Sequence, residues 1–229
     1  MMKETIIRLN KVSKKYHDKV VLSNVDLALK HGELILIKGD SGEGKSTLLN
    51  ILALLEPIDS GDIYWQEKNI SQLDIKGKKR LRKVNMSFIF QDYNLFEDLT
   101  LEENLKVFLR LSTNKKEDEI EADIHTYLKK FKMEDRKSIF IKLLSGGERQ
   151  RIAIMRAFLA NKSIIFADEP TANIDEENKK MIVNYFKEWK REGKVILLVS
   201  HDDFYDDIAD DIYRLHKGNL SKVNRGGVK

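Results

Sequence analysis

The residues best equipped for chemistry form two glycine-rich stretches and one acidic pair. GDSGEGKS (Gly39 to Ser46) fits the pattern G-x-x-x-x-G-K-[ST] and lies between an apolar run and a helical one. In that context the glycines let the backbone wrap so that its N–H groups point at phosphate oxygens, and the following helix adds the positive end of its dipole. The loop comprises Gly39, Asp40, Ser41, Gly42, Glu43, Gly44, Lys45, Ser46 and the following Thr47. Lys45 would reach the outer phosphates and Ser46 would ligate Mg²⁺. Asp40 and Glu43 add negative charge beside that phosphate, so their side chains are expected to point outward. The second metal ligand should be an acid ending a later apolar strand. SIIFADE supplies Asp168 for that role and Glu169 as a base that polarises the attacking water. Without the phosphate loop, the pair would read as strand-capping acids ahead of Pro170. His201 follows another apolar run, VILLVS, at the edge where ligands of open α/β sheets bind, and it could donate to a γ-phosphate. A lone His in such a place is otherwise an ordinary surface residue.

The second glycine stretch, LLSGGERQR (Leu143 to Arg151), poses a different question. Ser145 and Glu148 make a capping box, S-x-x-E, for the helix ERQRIAIMRAFLA. The cap does not require Gly146 and Gly147. Glycines at a helix start permit close backbone approach, and the N–H groups there form an anion site. One chain already has a phosphate loop, so the economical inference is that this loop meets a phosphate held by another copy.

These residues need particular elements to hold them. ELILIKG contains four consecutive apolar residues, Leu34 to Ile37, as in a strand buried on both faces of a parallel sheet, and SIIFAD and VILLVS repeat the pattern. KSTLLNILALL reads as a helix, and so does the span from about Glu176 to Arg191, stopped at Gly193. VDLALK alternates with Val25, Leu27 and Leu29 on one face, so the start of the chain reads as half-buried strands. EPIDSGD reads as turn chemistry, DIYWQ as a short strand and MSFIFQ (Met86 to Gln91) as another. The middle is helical: Thr100 and Glu103 form a capping box before LKVFLRL, and Ile120, Ile124, Leu128 and Phe131 recur at helical spacing. The order is a β-rich start, α/β, a helical insert, then α/β again.

Composition bounds the rest. The chain has 229 residues, enough for one large domain with a subdomain, and no cysteine, which excludes disulfides and suits a reducing cytosol. MMKETIIRLN lacks a secretory apolar run, and LLNILALL is far shorter than the ~20 residues of a membrane span. The net charge of +4, from 41 basic and 37 acidic residues, does not suggest a nucleic-acid partner. One basic run stands out, KGKKRLRK (Lys76 to Lys83); it reads as a solvated helix face, with proximity to anionic lipid headgroups as the alternative.

Together these motifs resemble the nucleotide-binding subunit of an ATP-binding-cassette (ABC) transporter across nearly the whole chain. GDSGEGKS resembles Walker A, IIFADE Walker B with its catalytic glutamate, and LSGGE the family signature, more often LSGGQ. Gln91 in FIFQDYNL looks like the Q-loop glutamine, ANID (Ala172 to Asp175) like the D-loop, and Ser200-His201 like the switch-histidine region. Tyr16 looks like the aromatic that stacks on adenine. The resemblance implies an α/β P-loop NTPase (ABC ATPase) core with an N-terminal antiparallel β subdomain and an inserted α-helical subdomain. The whole chain, 1–229, would be one ABC ATPase domain, with core and β subdomain in 1–91 and 160–229 and the helical signature subdomain in 92–159. It further implies ATP and Mg²⁺ as cofactors and ATP hydrolysis with Glu169, His201, Gln91 and Lys45 as catalytic residues. Ser46, Gln91 and Asp168 would hold the metal. Two copies, or one copy and a related subunit, would pair head to tail, placing Ser145, Gly146, Gly147 and Asp175 on the neighbour's ATP. An integral-membrane permease would be the other partner, on the cytoplasmic face of the cell membrane. YNLFEDLT, with Tyr93, Leu95 and Phe96, would meet that permease; local core is the plainer reading of those three. DSGDIYW, SFIFQDYNLFEDLTLEENL and ADEPTANID look like the single-domain ATPases of the lipoprotein-release, macrolide-efflux and antimicrobial-peptide export group. Glu148 for glutamine, no proline in SIFIKLLSGG, and Asp40 and Glu43 depart from that pattern. A soluble ABC ATPase driving cell-division signalling, cofactor or cluster assembly, or nucleic-acid repair would carry the same motifs.

Overall fold

The computed structural model describes residues 4–172 and 174–223. Two long strands, β1 (Thr5–Tyr16) and β2 (Lys19–Lys30), form an antiparallel hairpin, and β4 (Ser60–Trp65) and the short β5 (Lys68–Asn69) extend it on the β1 side. The expected alternation is present: Val25, Leu27 and Leu29 are buried, while Asp26 is exposed. β4 takes in Ser60, Gly61 and Asp62, three residues that read as turn chemistry, because β1 offers them partners as far as Ser13.

The second sheet has the order β10-β9-β3-β8-β7-β6. Its members are β3 (Leu34–Lys38), β6 (Met86–Ile89), β7 (Ile164–Asp168), β8 (Val195–Val199), β9 (Asp211–His216) and β10 (Asn219–Lys222). All neighbours are parallel except β9 and β10. β6 ends two residues short of Gln91, which leaves Phe90 and Gln91 free of the ladder. Alternate residues of the central strands face opposite sides. Ile35, Ile37, Phe166 and Leu197 join the core shared with β1, β2 and α1 (Lys45–Leu52), whereas Leu36, Ile165 and Leu198 join the core beneath the helices. This is why these strands are apolar at every position.

The helical side holds α3 (Leu101–Ser112), α4 (Glu117–Lys130), α5 (Gly146–Ala160) and α6 (Glu176–Arg191). Both expected capping boxes form: Thr100 with Glu103 opens α3, and Ser145 with Glu148 opens α5. Ile120, Ile124, Leu128 and Phe131 are buried as their spacing requires. Phe131 stacks on Tyr185 at 4.4 Å and Phe158 on Trp189 at 4.0 Å, so aromatic contacts bind α5 and the end of α4 to α6. The basic run forms α2 (Ile75–Asn85), capped by Asp74, with no fully buried residue. Among the described residues no helix is long and apolar enough to cross a membrane.

Candidate functional site

Parallel register brings the chemistry to one edge of the second sheet. Ile37 and Asp168 both pair with Val199, and Ile89 pairs with Ala167. The residues just past these strand ends include Gly39, Gln91, Glu169 and His201, and these four open on a common cleft of about 1090 Å³. Gly39, Asp40, Ser41, Gly42, Gly44, Lys45, Ser46 and Thr47 line it, together with Gln91, Asp168, Glu169, His201 and Tyr16.

The phosphate-type loop leaves β3 and enters α1 at Gly44, whose φ of 99° lies in the left-handed region. A Cβ at Gly44 would sit 2.4 Å from Val21 Cγ1 of β2, so only glycine lets the loop lie against the hairpin. The Lys45 ammonium turns back and donates to the carbonyl oxygens of Gly39 and Asp40, both at 2.8 Å. Glu43 points away from the cleft, as its charge demands: its carboxylate accepts from the Lys217 N–H at 2.5 Å and lies 3.4 Å from His216 Nδ1. Asp40 is exposed.

Within the cleft, the Ser46 hydroxyl hydrogen-bonds to Asp168. Burial pushes the Asp168 carboxyl above its usual range, and the neighbouring Glu169 charge adds to this, against the Ser46 hydrogen bond and the Lys45 ammonium. Oxygen donors in this arrangement suit a hard divalent cation that would relieve the buried charge. Glu169 has a φ of 45°, unusual for a residue with a side chain, and its N–H donates to the Val199 carbonyl at 2.8 Å. The carboxylate is held at both oxygens: Ser200 Oγ donates to Oε2 at 3.1 Å, and His201 Nδ1 lies 3.0 Å from Oε1. Ser200 is fully buried and its Oγ also accepts from the Asp202 N–H at 3.1 Å. A carboxylate aimed in this way can take up or polarise a water in the cleft.

Ser145, Gly146, Gly147 and Asp175 do not line this cleft. Ser145 and Glu148 are occupied with each other, and Arg136 holds Glu148 at 2.8 Å. Gly147 also has a close neighbour within its own chain that the sequence did not reveal. A Cβ there would meet Asn178 Nδ2 at 2.9 Å, and that amide donates to Asp175 Oδ2 at 2.6 Å. Asp175 itself caps α6 through the Asn178 N–H at 2.9 Å. Of the ANID stretch, Asn173 lies outside the described residues.

Three features escaped the sequence reading. Ser200 was visible only as the neighbour of His201. His17, Asp18, Lys19 and Val21 of the hairpin line the cleft beside Tyr16, and nothing in their types signals this. Arg156, buried on α5, donates to the carbonyls of Tyr93 and Asn94, each at 2.5 Å, and so pins two consecutive left-handed residues. An arginine on an otherwise apolar helical face, IAIMRAFLA, is the signal that could have found it. Beyond those residues, Leu95 packs on the core while Phe96 is exposed.

A model of the ABC transporter family matches residues 22–172. The chain is 37% identical over 205 residues to the lipoprotein-releasing system ATP-binding protein LolD of Treponema denticola, covering 89% of this chain and 90% of that protein. It is 35% identical over 227 residues to the phosphonates import ATP-binding protein PhnC of Fusobacterium nucleatum, covering 95% and 91%. Among solved structures, an ATP-binding cassette captured as a dimer in a post-hydrolysis state with ADP and phosphate superposes with a TM-score of 0.86 at 31% identity. That match covers 96% of this chain and 99% of the other.

Proposed function

The chain belongs to the ABC transporter family as an ATP-binding, ATP-hydrolysing subunit, and from that premise we propose that it powers release or export of a lipoprotein, peptide or drug-like substrate through a separate membrane permease. The export side of this reading is supported by the similarity to lipoprotein-release subunits, 33–37% identical over most of the chain. On this reading the protein sits at the cytoplasmic face of the membrane. Residues 92–159 act as the signature-bearing helical insert, and 1–91 with 160–229 as the nucleotide-binding core.

The observation that carries the catalytic assignment is the double hold on Glu169 in the cleft that Lys45 also lines. ATP lies with its base on Tyr16 and its phosphates along the 39–47 loop, where the Lys45 ammonium exchanges the Gly39 and Asp40 carbonyls for phosphate oxygens. Ser46, Gln91 and Asp168 are the groups that would hold Mg²⁺, which when bound supplies charge neutralisation at the phosphates. Glu169 orients and polarises the attacking water. His201 keeps one carboxylate oxygen in place and presents its ring to the γ-phosphate region. Ser145, Gly146, Gly147 and Asp175 lie off this cleft, so the site is completed by a second copy or a related subunit whose signature loop closes over the phosphate. The dimeric state of the similar cassette supports that pairing.

The test is Glu169→Gln. The variant is expected to bind ATP, hydrolyse little, and accumulate as an ATP-dependent dimer seen by light scattering. Steady-state hydrolysis near that of the wild type would remove Glu169 as the base. A multi-span membrane protein recovered with the wild-type chain supports the transport role, and release of a lipidated or peptide cargo by that complex decides its direction.

A further inference from the structure

The chain's net charge is carried by one element. α2 (Ile75–Asn85) holds six cations, Lys76, Lys78, Lys79, Arg80, Arg82 and Lys83, and no acid, against a chain total of +4 that leaves the remainder at −2. Elsewhere lysines and arginines commonly meet carboxylates, as Arg110 does Glu117 and Lys190 does Asp210. Among the described residues none of the six forms an ion pair; Arg82 instead donates to the Leu54 carbonyl at 2.6 Å. The helix also repels itself, because Lys76 and Arg80, Lys78 and Arg82, and Lys79 and Lys83 are like charges four residues apart. Capping by Asp74 and the favourable end-charges of Arg82 and Lys83 offset part of this.

At 3.6 residues per turn, Lys76, Lys79, Arg80 and Lys83 occupy an arc of about 100° on the solvent side. All four are exposed, whereas Leu81 packs inward against the hairpin-side core. Two aliphatic side chains, Ile75 at 83% exposure and Val84 at 59%, stand at the margins of that arc. The nucleotide cleft takes nothing from this helix. Self-repelling charge and exposed aliphatic residues are both unfavourable in water, and both are relieved at the same kind of surface.

We propose that α2 is a docking face for the anionic headgroups of a lipid bilayer. The charge is complementary, and an interfacial layer accepts aliphatic side chains at its acyl boundary as well as cations at its phosphates. The face carries no aromatic ring on which a nucleobase could stack, which sets it apart from single-strand nucleic-acid surfaces. This contact goes beyond the proposed ATPase role and does not depend on it. It would add a second, electrostatic attachment alongside the permease.

The test uses the full chain and vesicles of phosphatidylcholine with or without about 30 mol% phosphatidylglycerol, at low salt, where a polybasic face is least screened. The wild type is expected to sediment with the anionic vesicles only, and to be released as salt rises. Changing Lys76, Lys79, Arg80 and Lys83 together to Gln should weaken partitioning several-hundredfold, since each cation near an anionic surface is worth roughly fivefold. A control changes the exposed Lys68, Lys129, Lys132 and Lys187 to Gln, with the same loss of net charge. It should bind nearly as the wild type does. Retained ATP hydrolysis shows that the α2 variant is folded. Equal loss in the control would reduce the effect to net charge and overturn the proposal. Equal binding to neutral vesicles, or tighter binding to a DNA duplex than to the anionic vesicles, would also overturn it.

Discussion

Removing the Ser200 hydroxyl is the sharpest test of how the proposed base is aimed. Ser200 Oγ makes two bonds, donating to Glu169 Oε2 and accepting from the Asp202 N–H, each at 3.1 Å, and it is fully sealed from water. In Ser200→Ala the carboxylate loses one of its two anchors while His201 keeps the other, and the Asp202 N–H is left without its acceptor. A hydrogen bond to a charged group contributes about 1.5–3 kcal/mol and an orphaned, partly buried donor costs about 1 kcal/mol, so the variant should lose about 3 kcal/mol of stability without unfolding. The consequence for turnover is separate. A displacement on the order of 1 Å in a positioning group can cost up to about 100-fold, so kcat should fall by about 10- to 100-fold. The KM for ATP should stay within about twofold, because Ser200 does not line the cleft and a lost aim affects the transition state rather than ground-state binding. Ser200→Thr, which retains the hydroxyl, should recover most of the turnover. The assay is steady-state phosphate release with thermal melting run beside it. A folded Ser200→Ala protein with near-normal kcat, or one whose defect lies in KM, would refute the positioning argument.

Three further outcomes follow from particular contacts. Gly147→Ala should leave the melting temperature nearly unchanged, since about 1 kcal/mol of helix propensity is gained while the Asn178–Asp175 bond of similar worth is disturbed. Built into the Glu169→Gln background, it should nonetheless weaken the ATP-dependent dimer seen by light scattering. Burial alone would raise the Glu148 carboxyl, but Arg136 and the Ser145 N–H and hydroxyl outweigh it and hold the group below its ordinary 4.5. Glu148→Gln should therefore cost about 1 kcal/mol at neutral pH, as loss of a capping interaction does. The difference should fade as pH falls through that lowered value, read from urea midpoints across acid pH. Arg156, pulled down to about 10 by burial yet still charged at neutral pH, cannot be replaced by a lysine that spans both the Tyr93 and Asn94 carbonyls. Arg156→Lys should destabilise by about 2–3 kcal/mol and speed amide exchange in residues 92–99.

Much of this arrangement was legible because burial on both faces leaves an unmistakable mark. Leu34 to Ile37, Ile164 to Ala167 and Val195 to Val199 are apolar at every position, and the chain reaches the cleft within two residues of each run, at Gly39, Asp168 and His201. The capping pairs Thr100–Glu103 and Ser145–Glu148 were likewise readable, since both partners lie within one turn. What escaped notice depends on partners distant in the chain. Ser60 to Asp62 join a strand because Ser13 to Asn10 lie beside them. Tyr93 and Asn94 adopt left-handed backbone because Arg156, more than sixty residues later, accepts the task of holding their carbonyls. Gly147 lies against the amide of Asn178, thirty-one residues on. A run of residue types can advertise its own burial, but not which distant side chain will arrive to fill the space it leaves.

The contact between Gly44 and Val21 has a consequence for which nucleotides fit. The phosphate loop is pressed onto the hairpin that ends in Tyr16, and the Glu43–Lys217 bond and the Ser23–Gly218 bond tie both to the β9–β10 turn. With Tyr16 carrying the base as proposed, the ring platform and the phosphate cradle would be two jaws of one caliper, held together by these contacts. Such an instrument measures the span from base to terminal phosphate, while a stacking tyrosine senses the flat of a purine and not the pattern on its edge. Discrimination would then rest on length and on how many phosphates are present, with adenine and guanine nearly interchangeable at the ring.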